Sequence, residues 1–316
     1  MATLIGMQDI SKHFIDSVTR RTAGTLDYAL REAGPADGAP ILLLHGLLDT
    51  GASFAPLVHE IEAHQPGQYR FIAPDWRGHG DSDSVDGSYW FPEYIADLQM
   101  LIDDILPTPD ADDDSNDDSI IMMGHSMGGQ AASLFAGLRP ERVSHLITLD
   151  SLNVPDTRAQ DVPARYRRWL DARRQPPEPG VYTSVDTIAE RIRARYTELD
   201  AQQCLTLATE WSRPVDEAGA RRMHFDPWHR IPSPYGFRAD EAKAIWREVT
   251  ALVLCIDAGN SPAQEYMDAA EMAHRRACFQ DVRHRVISEC GHMLHLQKPD
   301  SVAEHVCEFL ARTRSD

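Results

Sequence analysis

Ile120-Ile121-Met122-Met123-Gly124-His125-Ser126-Met127-Gly128-Gly129-Gln130 is the stretch that decides the fold. Four consecutive apolar residues suit a strand covered on both faces, and they run straight into Gly-x-Ser-x-Gly. A serine on a sharp strand-to-helix turn needs neighbours without side chains, because the backbone doubles back there, and Gly124 and Gly128 meet that need. The small helix-forming run Ala131-Ala132-Ser133-Leu134-Phe135-Ala136 follows. Such a turn lifts Oγ clear of the sheet. It also aims the first N–H groups of the helix at the space where an oxyanion develops. Ser126 is therefore the expected nucleophile, and Met127 the first backbone oxyanion donor.

Working outward, Ile41-Leu42-Leu43-Leu44-His45-Gly46 is a second buried strand, ending in His-Gly. Asp75-Trp76-Arg77-Gly78-His79-Gly80-Asp81-Ser82 lies between the two, and Ser288-Glu289-Cys290-Gly291-His292-Met293 sets a histidine on a turn near the C-terminus. Taken in this order, the four motifs closely resemble those of the α/β-hydrolase superfamily, over nearly the whole chain. The resemblance implies a mostly parallel sheet flanked by helices and a serine, histidine and acid acting together. It points to His292 as the base, a role that a near-neutral imidazole suits. It also points to the N–H of Leu47, just after His45-Gly46, as the second oxyanion donor.

The acid is the departure from the family pattern. Many members carry it after the next-to-last strand as Gly-x-x-Asp, but here that slot reads Gly259-Asn260-Ser261-Pro262. The superfamily also places its acid after the strand that follows the nucleophile helix, where this chain has Asp150. Asp150 is the expected acid, Asp257 the competing candidate, and Ser261 an auxiliary partner for His292. Asp75, Arg77 and Gly78 read as a structural turn, with charge pairing rather than catalysis. The segment Phe225-Asp226-Pro227-Trp228-His229-Arg230 resembles part of the cap of serine-hydrolase-like proteins.

Strand patterns fall at residues 13–18, 26–33, 41–44, 69–74, 145–149, 251–256 and 285–287, besides the nucleophile strand. Helical patterns fall at 53–63 and at 92–106, where Ile95, Leu98, Leu101, Ile102 and Ile105 form a stripe. Alternating strands and helices give an α/β class with the chemistry at the carboxyl ends of the strands. About a hundred residues separate the strand ending near Leu149 from the next, far more than a crossover needs. Residues 1–150 and 251–316 are thus expected to form the core, and 151–250 a helical cap. Cap helices are expected at 162–174, 184–196 with Ser184 as N-cap, 200–211 with Asp200 and Gln203 as cap pair, and 239–249. Of the cap's many aromatic residues, a few are expected to line a pocket for a substrate with an apolar portion.

Composition narrows the function further. The net charge is −18, which disfavours nucleic acid and anionic membranes as partners. Residues 151–250 hold about 16 basic against 15 acidic side chains, so the acidic excess lies elsewhere. Part of it is the run Asp110-Ala111-Asp112-Asp113-Asp114-Ser115-Asn116-Asp117-Asp118. That run lacks the glycine and terminal glutamate of a calcium loop and reads as a solvated loop. Five cysteines, odd in number and scattered, suggest reduced thiols in cores. No ligand spacing calls for a metal, and no cofactor is implied. With no signal-peptide layout at the N-terminus, a cytoplasmic enzyme is expected. Three functions fit: hydrolysis of a carboxylic ester, lactone or thioester through an acyl-serine; carbon–carbon bond hydrolysis by the same groups; and non-catalytic ligand binding on this fold. The resemblance disfavours dehalogenase and epoxide hydrolase chemistry, because those relatives carry aspartate at the position of Ser126.

Overall fold

A computed structural model describes residues 7–87, 89–106 and 119–311; the acidic run at 110–118 lies outside them. The chain opens with α1 (Met7–Asp16), then β1 (Thr19–Ala23), β2 (Leu26–Ala33) and β3 (Ala39–Leu44). There follow α2 (Ala55–His64), β4 (Tyr69–Pro74), α3 (Phe91–Ile105), β5 (Ile120–His125), α4 (Met127–Leu138) and β6 (Val143–Leu149). The insertion carries α5 (Val162–Arg174), β7 (Val181–Tyr182), α6 (Val185–Arg195), α7 (Ala201–Glu210), β8 (Ser212–Pro214), β9 (Arg221–Met223) and α8 (Ala239–Trp246). The chain finishes with β10 (Leu252–Ala258), α9 (Ala269–Arg276), β11 (Val282–Ile287), α10 (Leu294–Gln297) and α11 (Pro299–Leu310).

Eight strands form one sheet in the order β1-β2-β4-β3-β5-β6-β10-β11. Only the β1/β2 and β2/β4 pairs within it are antiparallel. Its central strands are apolar along their length because helices cover both faces. On β3, Ile41 and Leu43 join one core cluster with α1, α2 and α11, while Leu42 and Leu44 join the other with α3 and α4. β10 divides likewise, Leu252, Leu254 and Ile256 against Val253 and Cys255. The period of two sorts side chains between two cores. α4 is buried from Gly128 to Gly137, and the small residues noted in the sequence let it approach the sheet and α8. A Cβ on Gly137 would meet the carbonyl of Ile245 at 2.2 Å.

The expected strand at 13–18 is corrected: residues 13–16 end α1, and β1 begins at Thr19. Ile10 and Phe14, four apart, put one helical face on the core, whereas edge strand β1 exposes most of its side chains and shows no apolar alternation. In the insertion, Ser184 caps α6 by accepting from Thr187 N–H, and Asp200 and Gln203 form a reciprocal cap on α7. The small sheet β7-β9-β8 was not anticipated. The cap's own core of Ile188, Ile192, Leu207 and Trp211 includes Met293 and Leu296, so it is seated on the turn that carries His292. All five cysteines are buried and free. No described helix is long and apolar enough to cross a membrane.

Candidate active site

The serine turn is as tight as its glycines require. Ser126 has φ 51° and ψ −117°, a conformation that costs a non-glycine residue on the order of 1–3 kcal/mol and persists only where the surroundings impose it. A Cβ on Gly124 would lie 2.4 Å from the Gly128 carbonyl carbon, and one on Gly128 would lie 2.0 Å from the Leu44 oxygen. The Ser126 N–H is tied to the carbonyl of Leu149, at the end of β6. Met127 is the first residue of α4, so its N–H has no intrahelical acceptor.

Asp150 follows β6 with φ 44° and is almost completely buried. Its Oδ2 lies 2.6 Å from His292 Nδ1 and accepts the Ser261 hydroxyl at 2.7 Å; its Oδ1 accepts the Ala258 N–H at 3.2 Å. A carboxylate cannot donate, so Nδ1 carries the proton and Nε2 presents a lone pair. His292 is held in turn by its own carbonyl, 2.9 Å from His125 Nε2, and its ring packs 4.6 Å from that of His125, the residue before Ser126. Ser261 therefore reaches Asp150 rather than His292. The competing acid, Asp257, is engaged elsewhere: its Oδ2 lies 2.8 Å from both Arg276 Nη1 and His284 Nε2.

Leu47 stands half exposed on the loop after β3 and faces the same cavity as Ser126 and Met127. The next residue, Leu48, has φ 64° and donates its N–H to His79 Nε2 at 3.1 Å. Accepting that bond requires a bare Nε2, so His79 carries its proton on Nδ1, 3.2 Å from the Arg77 carbonyl. Burial holds His79 well below the usual histidine range, and holds neighbouring His45 down to about 3. His79 thus holds the loop after β3 as a neutral ring, a contact the sequence reading missed; its one signal was the x position of Arg-Gly-x-Gly. Asp75 pairs with Arg31 at 2.7 Å and accepts from Gly51 N–H, while Arg77 pairs with Asp97 and Glu93. These are the structural charges expected of that turn.

A cavity of about 660 Å³ opens over Ser126. Its walls are mainly apolar: Trp90, Phe91 and Ile95 from the core, Val154, Ile231 and Phe237 from the insertion, and Leu134 and Ile245 further along α4 and α8. Of the cap aromatics, Tyr235 and Phe237 line it, whereas Trp211 and Tyr182 pack the cap's own core.

Residues 41–305 match the sequence profile of the Alpha/beta hydrolase family. A serine hydrolase-like protein of Danio rerio is 26% identical over 322 residues, covering 95% of this chain and 92% of that protein. An esterase of Escherichia coli is 24% identical, with 87% and 94% covered. The crystal structure of a hypothetical protein from Pseudomonas aeruginosa superposes with a TM-score of 0.78 at 25% identity, over 94% of this chain and all of the other. By sequence profile and by sheet topology, the chain belongs to the alpha/beta hydrolase family.

Proposed function

We propose that the protein is a serine-dependent hydrolase that cleaves a carboxylic ester, lactone or thioester through an acyl-serine intermediate. The observation that carries this reading is the buried Asp150 carboxylate fixing His292 Nδ1 at 2.6 Å, beside a serine on a strained elbow. In this mechanism His292 Nε2 accepts the Ser126 proton as Oγ attacks the carbonyl carbon. The negative oxygen is received by the N–H groups of Leu47 and Met127, and Asp150 stabilises the imidazolium. His292 then protonates the leaving alcohol, and water repeats the sequence on the acyl-serine. The apolar cavity suits a substrate with an apolar acyl or alcohol portion. The similarity to a named esterase supports the same reading.

Ser126→Ala tests it. The variant is expected to lose p-nitrophenyl ester hydrolysis and fluorophosphonate labelling while keeping its circular dichroism spectrum. Wild-type turnover by a folded Ser126→Ala protein would remove Ser126 from the nucleophile role, and activity confined to diketone acids would move the reaction to carbon–carbon cleavage.

A further inference from the structure

Asp49, His125 and His295 are far apart in sequence, and all three are buried. One ligand atom from each lies within 4.8 Å of the other two. No spacing rule finds such a group, because it is assembled from the loop after β3, the end of β5 and α10.

The hydrogen bonds around the trio fix its chemistry. His125 Nε2 faces the carbonyl of His292. A carbonyl only accepts, so the proton is on Nε2 and the Nδ1 lone pair is bare. Ser53 Oγ donates to Asp49 Oδ2 at 2.8 Å, so His295 Nε2, 3.3 Å from that hydroxyl, is the donor of its pair and leaves Nδ1 bare in turn. Neither Nδ1 has a hydrogen-bond partner among the described residues. The two rings lie 4.4 Å apart. Asp49 accepts from Thr50 N–H, Trp211 Nε1 and Ser53, and an ionised carboxylate retains further lone-pair capacity. Two neutral imidazoles, each oriented through its other ring nitrogen, and one oriented carboxylate make a built ligand set for a late first-row divalent cation.

We propose that Asp49, His125 and His295 form an inhibitory binding site for Zn²⁺ or a similar transition-metal ion. The inhibition follows from position. Metal–ligand bonds of about 2.0–2.2 Å hold tetrahedral ligands roughly 3.3–3.6 Å apart, so an ion would fix the mutual spacing of three side chains whose ligand atoms lie within 4.8 Å of one another. His125 is the sensitive member, because it both precedes Ser126 and holds the His292 carbonyl. A groove of about 460 Å³ between α2 and α7, lined by Ser53, Gln203 and Leu296, gives an approach beside the trio.

The binding half of the proposal is independent of the esterase reading, and the inhibition half rests on it. Untagged full-length protein is equilibrated with micromolar Zn²⁺, desalted and assayed for metal by mass spectrometry; Co²⁺ replaces Zn²⁺ for an absorption spectrum. One ion per chain with a tetrahedral cobalt spectrum is expected. His295→Gln should weaken binding at least thirtyfold, and so should Asp49→Asn, which keeps the carboxylate's shape if the first variant fails to fold. Ester hydrolysis by wild type should fall more than tenfold on saturation and return with EDTA, while folded variants no longer respond. Absence of stoichiometric binding to wild type, or unchanged affinity in both variants, overturns the site. Stoichiometric binding that leaves an active enzyme unchanged overturns the inhibition alone.

Discussion

The Asp150 side chain concentrates three donors on one buried carboxylate, from His292, Ser261 and Ala258. Replacing it with an amide keeps the volume but presents an N–H where the His292 proton must be received, which turns the imidazole to the wrong tautomer. Asp150→Asn is therefore expected to lower kcat by about 10⁴-fold, as loss of a triad acid does. Ser261→Ala removes one hydrogen bond to the same oxygen. It should cost on the order of 1 kcal/mol, about fivefold in rate. Asp257→Asn should leave kcat within about twofold, since Asp257 pairs with Arg276 and His284 away from the site. Steady-state kinetics on the three folded variants orders them; a dead Asp257→Asn beside an active Asp150→Asn would reverse the assignment. The sequence pointed to Asp150 because the later slot holds no acid and a strand end offered another, and the structure sets that carboxylate against His292. The atom that Ser261 bonds was not legible, because sequence order does not give direction in space, and for the same reason nothing marked His79 as the partner of Leu48.

At the scale of elements, most long apolar strands and several periodic helices announced themselves, while α1 was read in part as a strand, α11 was not picked out and the short strands of the insertion left no trace. α5 and β4 lie where the sequence placed them, and the capped starts of α6 and α7 were readable from Ser184 and from Asp200 with Gln203. β7, β8 and β9 have two or three residues each, too few for any period to register. Nor could the sequence divide the cap aromatics between packing and pocket, because both uses select the same residues. The structure divides them, and it also gives the cavity a direction. Ser126 stands at the start of α4 and Leu134 lies eight positions on, about 12 Å along the axis, with Ile245 of α8 on the same cavity wall. A bulky residue at the far wall should shorten the accepted chain without touching the chemistry. Ile245→Trp is expected to lower kcat/KM for p-nitrophenyl octanoate at least tenfold relative to the acetate. Equal losses on both esters would mean that the acyl chain does not run along α4.

Over the whole molecule, burial of neutral histidines couples stability to acid. His45, His79 and His229 are packed into one region beside the loop after β3, with ring centroids 5.1 Å apart for the first pair and 3.9 Å for the second. Burial pushes all three below the ordinary histidine value, His45 to about 3. In the unfolded chain they titrate near 6.5, so below that pH the unfolded state binds protons that the folded state refuses. Stability from this source is complete above about pH 6.5 and is lost as pH falls. One unit below, each ring costs about 1.4 kcal/mol, or about 4 kcal/mol for these three, a large share of a typical 5–15 kcal/mol total; His125 and His295, also held below the ordinary value by burial, act in the same direction. Buried carboxyls act in the opposite sense. Asp49 is raised to about 6 by burial, and Asp75 and Glu210 are raised for the same reason; protonating them in the fold returns part of the loss. For Asp75, the Arg31 guanidinium opposes that rise. The balance favours destabilisation between pH 7 and 5.5, because the histidine contributions grow over that whole interval while Asp49 adds less than about 1 kcal/mol by its lower end. The thermal midpoint is expected to fall by roughly 6–12 °C from pH 7.5 to 5.5, and calorimetry in buffers of different ionisation enthalpy should show proton uptake on unfolding. A midpoint that is flat or rising across this interval would mean that the buried rings accept protons within the fold.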